Sequence, residues 1–399
     1  MMTETGKCSG RRRRSRRRAN LATPKFRVGA GGGRLSPVTM KRTADGEPAQ
    51  RAAVVDLSSF LSDPTSTEAK DACAALAASL KETGIVLLKD TRVSMEDQAT
   101  FLDMMEDYFA QPTEAKMPDV RAELHYQVGA TPSMVEIPIC KTDEACLTRI
   151  KDMPEEHRPL EIVGPDPKWR FFWRIGERPT EGGFEALNAE PVVPAAFPQW
   201  KDVMDRWGSL MMQSVTTCAE MAAVGFGLER DAISSLMDLG PHLLAPTGSD
   251  LSGTHRKVGT VLAGWHNDLN LFTIHGKSRY PGLFVWLKDG TKMPVKIPDG
   301  CLLVQAGMQI ERLTGGAVEA GMHEVVVLPS TVEAAEKQEG NGRPTWRISS
   351  TLFSHVASDK ELKPLGPFAT EEAIKAYPTI TAGDHTVSIL QKINLAKPA

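Results

Sequence analysis

Three residues stand out by type and spacing. His266 and Asp268 lie in Gly264-Trp265-His266-Asn267-Asp268, and His323 follows in Ala320-Gly321-Met322-His323-Glu324. In a strand, side chains two residues apart leave the same face, so His266 and Asp268 can converge on one ion. Two neutral imidazoles and a carboxylate suit a divalent first-row metal, and three protein ligands on one side leave the other positions open for substrate and oxygen. This is the 2-His-1-carboxylate set of a non-haem iron(II) site, with zinc as the main competitor. His-x-Asp arises easily by chance in a chain with nine histidines, so the pair needs context.

Context comes from Trp346-Arg347-Ile348-Ser349-Ser350, part of an alternating run from Arg347 to Phe353 that reads as a strand. Arg347 and Ser349 share a face there. A guanidinium fork beside a hydroxyl is a directional receptor for a carboxylate. Taken alone, the same residues would fit a solvated strand face equally well.

The order His-x-Asp, His, Arg-x-Ser resembles the iron(II)/2-oxoglutarate-dependent dioxygenases of the isopenicillin N synthase-like family. Residues between the ligands extend the resemblance: Leu269 to Ile274, Pro281-Gly282-Leu283-Phe284-Val285, and Ile297 to Gly307 with Pro298, Gly300 and Leu302 in place. It covers about residues 255–355. By this resemblance His266, Asp268 and His323 would hold iron(II), and Arg347 and Ser349 would hold the far carboxylate of 2-oxoglutarate. O2 would be the oxidant, and ascorbate a stimulant. The implied fold is α+β, a double-stranded β-helix (jelly roll) with helices packed on one side. The implied activity is hydroxylation, desaturation or ring closure of a small molecule.

The chain also departs from the family. Arg347 follows His323 by 24 positions, more than the family's usual gap, and the polar, Gly-containing residues 331–344 are expected to be a long surface loop. The Asn-x-Tyr-Pro segment ahead of the first histidine is missing. Leu243 to Ser249 stand there, so no tyrosine is available to touch the co-substrate.

These residues need elements to position them. Val54-Val55-Asp56-Leu57 reads as a strand, and a helix from Pro64–Ser66 to Gly84 carries Ala72, Leu76 and Leu80 on one face. Ile85 to Leu88 returns as a strand, and Ser94 with Asp97 caps a helix with Phe101, Leu102, Met105 and Phe109 as its stripe. A long helix is expected from Pro198 to Val224 and a shorter one from Asp231 to Leu239. From Val258 onward, short β-rich runs recur at the spacing of a sandwich or barrel. Residues 125–190 read as an irregular cover segment in which Trp169, Trp173 and Arg174 are candidates for substrate contact, with Arg170 and Arg178 as local cations. His255, His275 and His355 read as ordinary strand or loop histidines, His255 being the one considered as a supporting neighbour of the metal.

Composition bounds the rest. The first 50 residues hold 13 Lys and Arg against three acidic residues, a charge of +10 that leaves −13 for the remainder of a chain of net −3. That arm is expected to be disordered and could serve in targeting, as a transit peptide or nuclear signal, or in attracting nucleic acid. The division that follows is arm 1–50, N-terminal region 51–240 including the cover segment, and β-helix core with C-terminal extension 241–399. Six cysteines without a Cys-x-x-Cys pair read as reduced thiols. No apolar run is long enough to cross a membrane. The expectation is a monomer, intracellular, cytoplasmic or organellar, with a small-molecule substrate and no nucleic-acid partner apart from the arm. Two other readings remain: an iron-dependent oxidase of the same fold that uses no 2-oxoglutarate, and a non-enzymatic binding module with a nucleic-acid-attracting arm. A zinc hydrolase ranks last, because no general base sits at a recognisable motif.

Overall fold

The computed structural model describes residues 52–180, 183–393 and 395. The Arg-rich arm, with the disorder expected of it, lies outside the described residues.

Strand β1 (Val54–Asp56) runs parallel to β2 (Ile85–Lys89), and the crossover holds α1 (Ser58–Ser62) and α2 (Thr67–Thr83). The Ser66 hydroxyl starts α2 by accepting from the Ala69 N–H. Gly84 ends it at φ +72°, a conformation that a Cβ disfavours. Ser94 caps α3 (Met95–Ala110) through the Asp97 N–H. Then come α4 (Thr113–Lys116), β3 (Gly129–Thr131), α5 (Glu144–Asp152), β4 (Trp169–Arg174) and α6 (Trp200–Gly225). The strand-rich half holds β5 (Leu243–Leu244), β6 (Thr247–Asp250), β7 (Val261–Asn267), β8 (Phe272–His275), β9 (Leu283–Trp286), β10 (Lys292–Pro294) and β11 (Cys301–Ala306). It continues with α7 (Met308–Leu313), β12 (Met322–Val326), α8 (Pro329–Gly340), β13 (Trp346–Ser349) and β14 (Thr351–Ser354). The chain closes with β15 (Glu361–Leu362), α9 (Glu371–Ala376), β16 (Ile380–Thr381) and α10 (Ala382–Lys392).

A ten-stranded sheet runs β1-β2-β11-β8-β14-β5-β4-β6-β13, with β3 on β4, and a four-stranded sheet runs β10-β9-β12-β7. Side-chain alternation gives the large sheet two different faces. Val86, Leu88, Phe171, Trp173, Ile274, Val304, Ile348 and Leu352 join Leu76, Leu80, Phe101, Met105, Trp200, Met204, Trp207 and Met211 of the helices in one apolar core. Burying each large side chain of this kind stabilises the fold by about 1.5–3 kcal/mol. The opposite face, with Arg170, Phe172, His275, Arg347, Ser349 and Thr351, lines a cavity together with Ala263, His266, Leu283 and His323 of the small sheet. The architecture is the α+β jelly roll expected, with helices against one sheet.

Five local expectations are corrected. Residues 331–344 are not a long loop, because most of them belong to α8. Their polarity hid a run of good helix formers, and Val332 and Ala335, three apart, pack against Leu251, Leu262 and Val327. Asp231 to Leu239 is a chain of turns with one 3-10 turn at Ser234–Leu236, since adjacent Ser234 and Ser235 are poor helix formers. The Arg347–Phe353 run is broken at Ser350 into β13, which pairs with β6, and β14, which pairs with β5 and β8. Within 125–190, Trp169–Arg174 is a strand of the large sheet rather than an irregular cover. Finally, Cys140 and Cys146 are joined as a disulfide, because the Ile139–Lys141 turn and the Asp143-capped start of α5 bring their Cα atoms to 5.0 Å. Cys73, Cys218 and Cys301 are free and buried. No described helix is long and apolar enough to cross a membrane.

Candidate metal centre and its cavity

His266 is the penultimate residue of β7 and Asp268 lies just past the strand's end. His323, near the start of β12, faces His266 directly across the antiparallel register. His266 Nε2 is 3.7 Å from Asp268 Oδ1, and His323 Nε2 is 4.0 Å from Oδ2. The three donor atoms all lie within 4.8 Å of one another, so they can converge on one ion through bonds of about 2.0–2.2 Å. A carboxylate and two imidazoles are the right chemistry for iron(II), and no thiolate competes for a softer metal.

Neighbours hold each ligand in place. His266 Nδ1 donates to the Gly264 carbonyl at 2.6 Å, which leaves Nε2 as the lone-pair donor. Thr273 donates to Asp268 Oδ2 at 2.6 Å. Gln305 Nε2 lies 2.9 Å from His323 Nδ1 and donates to the Gly321 carbonyl at 2.6 Å, and a Cβ at Gly321 would come within 2.8 Å of the Gln305 side chain. Burial, followed by the nearby His266, lowers the His323 pKa to about 3, so the ring is neutral and able to ligate. Burial works to raise the Asp268 pKa, but His323, His266 and the Thr273 hydroxyl outweigh it and hold the carboxyl below its ordinary range.

The metal centre opens into a cavity of about 510 Å³. At one end Arg347 is 4% exposed. Its Nη1 donates to Ser349 Oγ at 2.9 Å and its Nε to the Pro281 carbonyl at 3.4 Å, yet it has no carboxylate partner among the described residues. Burial lowers its pKa to about 10, which still leaves it charged at neutral pH. On another wall, two acids and two bases neutralise one another. Arg170 Nη1 donates to Glu136 at 2.6 Å, and Lys168 Nζ donates to Asp166 at 2.6 Å and to Glu136 at 3.2 Å. Asp166 also accepts from the Gly264 N–H at 2.9 Å, tying this network to the strand that carries His266.

The structure thus brings together the triad, Arg347 and Ser349 around one cavity, but not every other candidate. Trp169 and Trp173 are in the helix-side core, Trp173 donating to Asp205 at 2.8 Å. Arg174 is buried against the Gly240 carbonyl and Arg178 pairs with Glu190. His255 is outside the cavity lining, whereas His275 and His355 belong to it. Thr273, Gln305, Glu136, Asp166 and Lys168 were not anticipated. Only Thr273 and His275 left a signal, two polar side chains on one face of an otherwise apolar strand.

Fold and site together define a double-stranded β-helix with a His-x-Asp and His metal triad. The family model described as "non-haem dioxygenase in morphine synthesis N-terminal" matches residues 53–161. No curated protein sequence matches the chain. Among solved structures, a putative 2OG-Fe(II) oxygenase family protein from Caulobacter crescentus superposes with a TM-score of 0.67 at 24% identity, covering 86% of this chain and 99% of that one. A full-length Neurospora crassa protein solved with alpha-KG and thymine gives 0.64 at 18% identity, covering 86% and 96%. A rice dioxygenase for auxin oxidation gives 0.58 at 15% identity, covering 85% and 95%. The chain has the fold of these 2OG-Fe(II) oxygenases.

Proposed function

We propose that this protein is an Fe(II)- and 2-oxoglutarate-dependent dioxygenase that oxidises a small molecule. The observation that carries the reading is the buried, unpaired Arg347 guanidinium in the same cavity as the triad. A buried charge without a partner is costly, so this site is built for an anion that arrives with the ligand.

In this reading His266, Asp268 and His323 hold iron(II), while Arg347 and Ser349 hold the distal carboxylate of 2-oxoglutarate. Iron with its co-substrate supplies the oxidising power, consuming O2 and releasing succinate and CO2. The protein contributes position: Thr273, Gln305 and the Gly264 carbonyl fix the ligands, and Phe172, Leu269 and Phe353 among the lining side chains limit water. The substrate faces the remaining cavity, near the neutral Glu136–Lys168–Asp166–Arg170 wall. The solved relatives' compounds, thymine and auxin, fit the same small-molecule class.

The test is succinate formation from 2-oxoglutarate with iron(II), ascorbate and O2, screened across metabolite pools. Oxidation of a compound without succinate would instead favour an oxidase of the same fold. The reading includes a monomer in an intracellular compartment, cytoplasmic or organellar, checked by sedimentation and by imaging the tagged full-length chain.

A further inference from the structure

The cavity end that holds Arg347 contains another unsatisfied group. His275 is 92% buried, lines the cavity, and has an Nε2 with no hydrogen-bond partner among the described residues. Its other nitrogen, Nδ1, is 3.2 Å from Thr351 Oγ1. The strand register explains this placement. His275 pairs with Thr351 across β8 and β14, and Arg347, Ser349 and Thr351 all line the same cavity. Thr273, two residues back on the same face, supports Asp268. This face of β8 therefore serves the metal at Thr273 and reaches toward the Arg347 end at His275.

We propose that His275 is a co-substrate-binding residue whose Nε2–H donates to the distal carboxylate of 2-oxoglutarate beside Arg347 and Ser349. The inference rests on the 2-oxoglutarate reading above. Thr351 has one hydroxyl proton, and Nδ1 is its only hydrogen-bond partner at this site. When the hydroxyl donates that proton to Nδ1, the ring carries its hydrogen on Nε2, the tautomer this proposal requires. A carboxylate has about four acceptor positions, and Arg347 has already turned Nη1 to Ser349 and Nε to a backbone carbonyl. Arg347 keeps three N–H groups for the ligand and Ser349 its hydroxyl, and there is room for one donor more; residues 243–249 offer Leu243, Ala245 and Thr247 to the cavity but no tyrosine. His275 reaches the same end from a different strand. The guanidinium of Arg347 is near enough to act on the His275 ring electrostatically, although burial is the larger influence.

The test is an anaerobic titration of the Fe(II) protein, read from the charge-transfer absorption that a 2-keto acid produces on chelating the metal. Two probes are used: 2-oxoglutarate, and 2-oxopentanoate, which has the same chelating end but no distal carboxylate. The wild-type protein should bind 2-oxoglutarate more tightly. His275→Leu should weaken 2-oxoglutarate by about 10- to 100-fold, the range for losing a hydrogen bond to a charged group, and leave 2-oxopentanoate unchanged. His275→Gln, which keeps a donor, should recover part of the loss. If His275→Leu weakens both probes equally, or neither, the proposal is overturned. Should His275→Leu fail to fold, Thr351→Val carries the test, with a smaller selective loss expected and an unchanged 2-oxoglutarate affinity against it. If the wild type binds neither probe, or binds both alike, the co-substrate reading itself fails and takes this inference with it.

Discussion

Two walls of one cavity handle buried charge in opposite ways. Around Arg347 the guanidinium has a hydroxyl, a carbonyl and a neutral histidine for neighbours but no acid among the described residues. Elsewhere in the lining, Glu136 and Asp166 fully offset Lys168 and Arg170. Desolvating an ion costs several kcal/mol unless a partner repays it, so the first wall is complete only with an anion bound. The second is complete already. On the proposed function the unbalanced wall serves a charged ligand and the balanced one support, because Asp166 holds the Gly264 N–H on the strand that carries His266.

The largest effect comes from removing the group between the walls. Asp268→Ala should abolish iron binding and turnover together, measured by metal content after dialysis and by succinate release. A protein that kept full metal occupancy would break the assignment of the triad. Next is Arg347→Met, which should weaken 2-oxoglutarate by about 30- to 3000-fold while iron affinity stays near wild type, as expected when one partner of a buried charge pair is cut away. Equal losses of both would show that Arg347 supports the metal site rather than the co-substrate.

How much of this was legible follows the range over which residues speak to one another. His266, Asp268 and His323 could be found because residue type and strand alternation are local signals, and Arg347 with Ser349 could be found even behind an insertion. His275 could not, because its role depends on the pairing of β8 with β14. Glu136, Asp166 and Lys168 were equally silent. Single charges in a segment read as solvated, and only the folded chain turns them inward to meet one another. Residues 331–340, expected as loop, were misread for a related reason: two small apolar side chains suffice to dock a short helix, too few to stand out among its polar ones. The helices α2, α3 and α6 were plain because their stripes are long, and α2 and α3 also start on serine caps.

Supporting groups should give intermediate effects. Thr273→Val removes the hydrogen bond to Asp268 without removing a ligand, and should lower iron affinity by about 10- to 100-fold, the usual range for such neighbours. Titration of the apo protein with iron(II) under nitrogen measures it. An unchanged affinity would mean that burial alone orients the carboxylate.

The smallest effect on the reaction should come from the balanced wall. Glu136→Gln leaves Lys168 and Arg170 with one acid between them, so stability should fall by about 3–5 kcal/mol, while 2-oxoglutarate affinity should hold. The pH dependence sharpens the point. Burial acts to raise the Glu136 pKa, but Lys168 and Arg170 outweigh it and hold the carboxyl well below its ordinary value of 4.5. A carboxyl depressed in the folded state adds stability that is fully present above its unfolded pKa, and that stability is lost as pH falls toward the folded value. Urea unfolding of wild type and Glu136→Gln should therefore differ most at neutral pH and converge as the pH drops below about 4.5. A gap that stays constant through that range would mean Glu136 contributes packing and not charge, and the two walls would no longer differ in the way that separates co-substrate from scaffold.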